Sequence, residues 1–469
     1  MTPDVDVLRS AADRALAYAA GVDDRVVTPT PDAIAGLTAF DEPFPDDSLD
    51  AGDTIELLDR IGGPATMGTT GPNYFGFVNG ATYPVALGAA FIADAWDQNA
   101  ALPVMSPVAA KLYDVSTRWL IEALHLPEET DVAYVTGATV ANASCLAAAR
   151  DAQLAARGWD SPTQGLFGAP PIQVVVGGQV HSTIRKSLGL VGLGSERVTV
   201  VPADDQGRMR ADLLPDLDPA DGPIVVCAQA GEVNTGAFDP FDAIADWTVE
   251  RDAWMHVDGA FGLWALADPS RADLVKGLDR ADSWATDGHK WLNVTYDCGI
   301  AFVRRSGALR RTFASVAGYL PPGTGFEAMH HTPQSSQRAR QVEVWAVLRT
   351  LGRAGLAAMV QQASDAAATI ARRLGDELGD EGLVVLNDVV LNQVLVRFED
   401  PSGDPAAGDA RTDAVIAAVQ SDGTLWLGGT RWHEQRAMRI SVSGWNTTEA
   451  DVDASIAVIR RRAEEIPTG

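Results

Sequence analysis

Between about Asn73 and Arg305, short apolar runs rich in β-branched residues alternate with alanine-rich runs of helical character, such as VANASCLAAARDAQLAAR at 140–157. Strands that are apolar on both faces and alternate with helices are typical of a mainly parallel sheet that is covered by helices on both sides. The pattern therefore predicts an α/β fold. The predicted strands are 131–135, 172–178, 197–202, 223–230, 253–259 and 298–304.

The two ends of the chain have different patterns. Apolar residues at helical spacing between Val5 and Leu16, followed by a stretch rich in Pro and Asp, predict an N-terminal helical segment at 1–72. Such a segment cannot bury itself alone, so we expect it to pack on another part of the molecule or on a partner subunit. A large domain at 73–340 and a smaller α+β C-terminal domain at 341–469 are predicted to follow.

The C-terminal part begins with a long helical pattern and continues with short strand-like pieces. Thr448 and Asp451 have the spacing of a capping box, which predicts the start of a last helix. The strand-like pieces are 383–387, 392–398, 424–430 and 437–443.

Composition narrows the class of protein. The 469 residues are 46% hydrophobic, which is enough for a large buried core, and the formal net charge of −27 would repel nucleic acid. Three widely separated cysteines give no disulfide framework and no zinc spacing, so we expect a reducing compartment and no metal. Neither a signal peptide nor a run of ~18 apolar residues is evident. These features predict a cytoplasmic protein that does not bind membranes.

Lys290 carries the strongest chemical signal. It follows His289 and precedes Trp291 at the end of a strand-like run, in DSWATDGHKWLNV. A lysine at such a position can form an imine with a carbonyl cofactor, although most lysines are simply solvated at the surface. Asp258 ends another apolar run, WMHVD, where a carboxylate is costly without a cationic partner. The protonated ring nitrogen of pyridoxal 5′-phosphate would supply that partner.

Two weaker signals also follow predicted strands. The turn at 136–139, which includes Gly137, Ala138 and Thr139, joins a strand to a helix, where backbone N–H groups can hold a phosphate. His181, in GGQVHSTIRK, could stack on a cofactor ring and bind a substrate carboxylate. Each signal is common when taken alone.

Together, in this order and spacing, the four signals resemble the pyridoxal-phosphate-dependent amino-acid decarboxylases of the aromatic-L-amino-acid and glutamate decarboxylase group. The resemblance covers roughly residues 70–460 and is most specific at 253–294 and around His181. It implies an aspartate-aminotransferase-like fold (fold type I) and an obligate homodimer with active sites at the subunit interface. The N-terminal segment would then wrap the other subunit.

The resemblance also assigns roles to single residues. Lys290 matches the lysine that holds the cofactor as an internal aldimine, Asp258 the acid that pairs with the ring nitrogen, and His181 the histidine stacked over the ring. The other matches are Ala260 against the ring face, Ala138 and Thr139 in the phosphate turn, His289 beside the lysine, and Tyr83 in the substrate pocket.

The chain departs from the family in the loop before residue 336. Relatives carry a proton-donating tyrosine there, whereas Tyr319 lies too early and Phe326 is nearer to the expected position. In some relatives a phenylalanine there diverts the reaction to oxygen and gives an aldehyde. His330 and His331 could replace the lost acid or could be ordinary loop histidines.

Smaller departures are Asp287, where relatives often have asparagine near the phosphate, and Val233, where threonine is common. Arg338 and Arg340 could meet a phosphate or a carboxylate, or could be ion-paired on a helix. The preferred function is decarboxylation of an apolar or aromatic L-amino acid. The alternatives are decarboxylation coupled to oxidative deamination, another lyase or aminotransferase reaction, and a cofactor kept for stability or regulation alone.

Overall fold

The computed structural model describes residues 5–315 and 326–466. Seven strands form the larger sheet, in the order β1-β7-β6-β5-β4-β2-β3. β7 runs antiparallel to both of its neighbours, and the other pairs are parallel. This confirms the predicted mainly parallel α/β sheet. The strands are β1 (Asp131–Val135), β2 (Gln173–Gly177), β3 (Thr199–Val201), β4 (Ile224–Gln229), β5 (Trp254–Asp258), β6 (Ser283–Asp287) and β7 (Gly299–Val303).

Most strands of this sheet are buried along their length, which explains their continuous apolar sequences. Small side chains let helix α6 (Ala138–Ala155) lie close against the sheet, with Ala141, Cys145 and Ala149 fully buried in the main core. The other helices are α1 (Val5–Ala20), α2 (Pro31–Gly36), α3 (Ala51–Leu57), α4 (Pro84–Trp96), α5 (Pro107–Ala123), α7 (Ser161–Gln164), α8 (Ser182–Leu190), α9 (Phe241–Glu250), α10 (Ala308–Phe313), α11 (Gln341–Leu378), α12 (Pro405–Asp422) and α13 (Glu449–Glu465).

A second sheet has four strands in the order β10-β11-β9-β8, made of β8 (Leu383–Val385), β9 (Gln393–Phe398), β10 (Gly428–Trp432) and β11 (Gln435–Ser441). The strand predicted at 424–430 is wrong at its start. Trp426 forms an isolated parallel bridge with Tyr74, because its backbone pairs with Asn73 and Phe75, and the regular strand begins only at Gly428. The predicted capping box at Thr448 and Asp451 is confirmed.

The chain divides into two compact units. The larger unit comprises residues 82–368 and 387–393 and contains the seven-stranded sheet. The smaller unit comprises residues 1–81, 369–386 and 394–469. The domain boundaries predicted at 72/73 and 340/341 stay a prediction.

The first helix matches its predicted position but has no buried residue: Val5, Leu8 and Leu16 are each more than half exposed. All three cysteines are free and buried, Cys145 on α6, Cys227 on β4 and Cys298 just before β7. None of the helices in the described ranges is long and apolar enough to cross a membrane.

Candidate active site

Four chain segments meet at one edge of the seven-stranded sheet. β1 runs in the same direction as β6 because both are antiparallel to β7, so the carboxyl ends of β1, β2, β5 and β6 lie on the same side. Ligand sites in open α/β sheets form beyond these ends. A pocket of about 280 Å³ opens there. It is lined by Gly137, Ala138, Thr139, His181, Thr183, Gln229, Gly231, Val233, Asp258, Ala260, Phe261, Asp287, His289 and Lys290.

Asp258 supplies a buried carboxylate at the end of β5, with only 4% of the residue exposed. Its Oδ1 atom accepts a hydrogen bond from the backbone N–H of Ala260 (3.2 Å). Burial raises the pKa of Asp258, while the nearby charges of His181 and Lys290 act to lower it. A carboxylate buried in this position would be stabilised by a further cation in the pocket.

The turn after β1 places the N-terminus of α6 at the pocket. Gly137 is the N-cap residue, and the N–H groups that follow it begin an 18-residue helix, whose positive dipole end favours an anion. The backbone N–H of Ala138 donates a hydrogen bond to Asp287 Oδ1 (2.5 Å). Gly299 on β7 packs against this turn so closely that an added Cβ would lie 2.3 Å from the carbonyl carbon of Gly137.

Lys290 lies beside the same carboxylate. Its Nζ atom is 3.2 Å from Asp287 Oδ2, and about a fifth of its side chain is exposed. His289 Nε2 lies 3.6 Å from Asp287 Oδ1, and its Nδ1 atom accepts a hydrogen bond from the backbone N–H of Cys298 (3.1 Å). Burial lowers the pKa of His289, and the charge of Asp287 opposes this shift. Asp287 therefore connects the lysine to the turn at the start of α6.

His181 caps helix α8 from the end of the β2 segment. Its Nδ1 atom accepts from the backbone N–H of Thr183 (3.4 Å) and lies 2.8 Å from the Thr183 hydroxyl. Its own backbone N–H donates to the side-chain oxygen of Gln229 (3.3 Å). The imidazole ring is thus fixed at the pocket by residues of α8 and β4.

The structure brings together eight of the predicted site residues, but three others are not among the residues that line this pocket. The backbone N–H of Tyr83 donates to Asn293 (2.8 Å), just before α4. Phe326 stacks on Tyr113, with ring centroids 3.7 Å apart, and His330 Nε2 pairs with Glu327 (3.3 Å). Their assignment to the substrate stays a prediction.

Other residues noted in the sequence also have defined contacts. His331 lies against the ring of Phe326 (4.2 Å between centroids). Arg338 pairs with Glu343 and Asp94, and Arg340 Nε lies 2.9 Å from Asp297 Oδ1, so both arginines are ion-paired within the chain. Tyr319 lies outside the described residues.

Sequence reasoning missed several residues. Thr183, Gln229, Gly231 and Phe261 line the pocket but have no distinctive spacing. His256 was also missed, although the sequence contains a signal for it. It precedes Asp258 by two residues in an otherwise apolar strand, and it therefore faces the same side of the sheet.

The pocket fits pyridoxal phosphate in three respects. A lysine amine can bind the carbonyl carbon, a buried carboxylate can pair with the ring nitrogen, and a helix N-terminus can hold the phosphate. The carboxylate of Asp287, at the end of β6, has an unfavourable charge for a phosphate at this turn, because it accepts a hydrogen bond from the backbone N–H of Ala138. Within residues 5–315 and 326–466, no cluster of His, Cys, Asp or Glu has the arrangement of a metal site.

Comparison with known proteins gives a consistent result. The profile of the pyridoxal-dependent decarboxylase conserved domain matches residues 38–398. An aromatic-L-amino-acid decarboxylase of Bacillus atrophaeus is 25% identical over 439 residues, which are 91% of this chain and 88% of that protein. A cysteine sulfinic acid decarboxylase of Rattus norvegicus is 29% identical over 66% of each chain.

The solved structures include a protein of the same fold. A crystal structure of Oryza sativa TDC with PLP and tryptamine has a TM-score of 0.89, with 99% of both chains covered at 23% sequence identity. The predicted fold of the resembled decarboxylases is thereby confirmed.

Proposed function

The chain belongs to the pyridoxal-dependent decarboxylase family, and from that premise we propose that it removes the α-carboxyl group of an apolar or aromatic L-amino acid. Membership of this family identifies the chain as a pyridoxal-phosphate-dependent carboxy-lyase. The nature of the substrate side chain is the part that we infer from the pocket.

The residues of the pocket have separate tasks in this proposal. When bound, pyridoxal phosphate supplies an electron sink for the electron pair that is left when CO₂ departs. Lys290 would hold its carbonyl carbon, Asp258 its ring nitrogen, and the N–H groups at the start of α6 its phosphate. His181 would cover the ring and orient the substrate carboxylate.

The composition of the pocket wall carries the substrate proposal. Val233 and Phe261 contribute apolar surface, and among the described residues that line the pocket there is no arginine and no lysine other than Lys290. An acidic substrate side chain would enter without a dedicated cation, and an unpaired buried charge costs several kcal/mol. We therefore expect kcat/KM for glutamate or cysteine sulfinate to be at least ~100-fold below that for the preferred apolar or aromatic substrate.

An amino-acid panel tests this proposal. The enzyme, saturated with cofactor, is incubated with L-phenylalanine, L-tyrosine, L-tryptophan, L-leucine, L-glutamate and L-cysteine sulfinate, and CO₂ and amine are measured together. CO₂ from the acidic substrates alone would refute the substrate class. No CO₂ from any amino acid, in enzyme that retains the cofactor, would refute decarboxylation itself.

Oxidative formation of an aldehyde is the second candidate. Phe326, near the usual position of a proton-donating tyrosine, supports it, although its ring packs on Tyr113 within the chain. This reaction consumes O₂ and releases peroxide and ammonia besides CO₂. Peroxide and ammonia in the same panel would select this candidate over simple decarboxylation.

We also propose that the enzyme is a homodimer. The exposed apolar residues of α1 support a partner surface, because a helix with no buried side chain gains little from its own chain. Sedimentation equilibrium tests this, and a monomer at micromolar concentration would refute it. The cytoplasmic location stays a prediction.

A further inference from the structure

A continuous hydrogen-bonded relay lies behind Asp258, inside the layer between β5 and α6. His256 on β5 is completely buried, as are Asn142 on α6 and Ser283 on β6. His256 Nε2 lies 2.9 Å from Asn142 Oδ1, and His256 Nδ1 lies 3.0 Å from Ser283 Oγ. The indole N–H of Trp254 donates to the same serine oxygen (2.9 Å).

The direction of each hydrogen bond in the relay follows from its ends. The amide oxygen of Asn142 can only accept, so His256 carries its single proton on Nε2 and donates it to Asn142 Oδ1. His256 Nδ1 is then an acceptor and receives the Ser283 hydroxyl proton, while the Ser283 oxygen accepts from the indole of Trp254. Burial lowers the pKa of His256 to about 3, which is consistent with a neutral ring holding a single proton.

At the far end of the relay, the oxygen of the Asn142 amide is held by His256, which leaves the amide nitrogen buried and without a hydrogen-bond partner among the described residues. Asp258 follows His256 by two residues on β5 and therefore faces the same side of the sheet. The Asn142 side chain acts to lower the pKa of Asp258, as an amide N–H beside a carboxylate does. The opposite orientation of the amide would direct its oxygen at the carboxylate, which is electrostatically unfavourable. His256 therefore selects the orientation that stabilises an ionised Asp258.

We propose that Asn142, oriented by His256, is a positioning residue that keeps Asp258 ionised and directed at the ring nitrogen of the cofactor. This rests on the proposed function, in which Asp258 pairs with that nitrogen. An ionised carboxylate keeps the ring nitrogen protonated, and a protonated ring is the better electron sink. Asn142 and His256 would thus influence the cofactor without touching it.

The test compares two cofactors in titrations of the cofactor-free protein, followed by absorbance. One is pyridoxal phosphate, and the other is its analogue with a carbon atom in place of the ring nitrogen. Asn142→Leu keeps the approximate size but removes the donor. We expect its Kd for pyridoxal phosphate to rise about 10- to 100-fold, the usual effect of losing a hydrogen bond to a charged group, and its Kd for the analogue to change less than about 3-fold.

Conservative substitution of His256 provides a second, independent measurement. Glutamine can donate to Asn142 Oδ1 as the imidazole does, so His256→Gln should keep most of the preference for pyridoxal phosphate, whereas His256→Leu should lose it. Ser144→Ala is the matched control, because Ser144 is buried on the same helix but donates to Val140 O (2.8 Å). It should leave the ratio of the two Kd values unchanged.

Each remaining outcome would overturn the proposal. Equal losses for both cofactors in the Asn142 and His256→Leu variants would show that the relay only ties α6 to β5. If Asn142→Leu does not fold, His256→Leu alone decides: an unchanged ratio of the two Kd values in this variant would also show that the relay only ties α6 to β5. Asp258→Ala separates this failure from that of the proposed function. If Asp258→Ala weakens binding of pyridoxal phosphate more than binding of the analogue, and the relay variants weaken both equally, the relay alone fails. If Asp258→Ala also weakens both equally, the assignment of Asp258 to the ring nitrogen fails as well.

Discussion

Replacement of Asp287 by asparagine should tighten binding of the cofactor. The carboxylate of Asp287 accepts the Ala138 N–H (2.5 Å), which is one of the donors assigned to the phosphate, and it is almost completely buried. A phosphate must therefore compete for a donor that is already used by an anion. Asparagine keeps the size and a neutral acceptor but removes the charge.

The magnitude follows from two contributions. Hydrogen bonds to charged groups contribute about 1.5–3 kcal/mol and neutral ones about 1, so the Ala138 N–H is released more easily by about 1 kcal/mol in Asp287→Asn. Two unit charges 4 Å apart repel by about 4 kcal/mol at an effective dielectric constant of about 20. Lys290, 3.2 Å from Asp287, compensates most of this repulsion in the wild type. A net gain of about 1–3 kcal/mol corresponds to a roughly 5- to 150-fold lower Kd.

The assay is a titration of cofactor-free protein with pyridoxal phosphate, together with competition by inorganic phosphate. Both affinities should rise in Asp287→Asn, because the effect arises at the phosphate. Asp282→Asn is the matched control: this carboxylate, just before β6, accepts from Met255 N (2.9 Å) and does not line the pocket. An unchanged or weaker affinity in Asp287→Asn would refute the reasoning and would mean that the hold of Asp287 on Lys290 outweighs its repulsion of phosphate.

Three further predictions concern other residues. Borohydride reduction of the holoenzyme should attach the cofactor to the peptide that contains Lys290, as read by mass spectrometry; labelling of a different lysine would contradict its role. If the wild type forms aldehyde, Phe326→Tyr should shift the product toward amine, and an unchanged ratio of peroxide to amine would exclude Phe326 as the cause. The pKa of His256 is lowered from 6.5 to about 3, so the unfolded state binds a proton below pH 6.5 that the folded state excludes. As the pH is lowered from 6.5 to 3, this residue should therefore decrease the free energy of unfolding by about 1.4 kcal/mol per pH unit. Urea titrations of His256→Gln should lack this pH-dependent decrease. The control variant His125→Gln, at an exposed histidine, should retain it.

Much of the large unit could be predicted from the sequence because its strands are buried on both faces. Such strands appear as uninterrupted apolar runs, and their carboxyl ends define the site. Asp258 ends one of these runs and His181 follows another, so their meeting could be inferred without coordinates. Lys290 follows β6, whose mixed sequence SWATD is not among the predicted strands.

The remaining features depend on contacts between distant parts of the chain. Trp426 looked like the middle of a strand, but its backbone pairs with Asn73 and Phe75. Asn142 and His256 lie 2.9 Å apart across two elements, and no local pattern links them. The interruption of α11 at Gly352, with φ 58°, also lies within a pattern that reads as one continuous helix.

The three buried cysteines can be used to measure transient opening of the structure around the active site. Burial raises the pKa of Cys145, Cys227 and Cys298, so both lack of access and lack of thiolate protect them from alkylating reagents. Labelling then requires a transient opening, in which either α6 separates from the sheet or the segment around Lys290 separates from Cys298. The backbone N–H of Cys298 is hydrogen-bonded to His289 in the closed state. The modification rate of each thiol, resolved by peptide mass, therefore measures how often that part of the site opens, and it should slow down when a ligand stabilises the closed state.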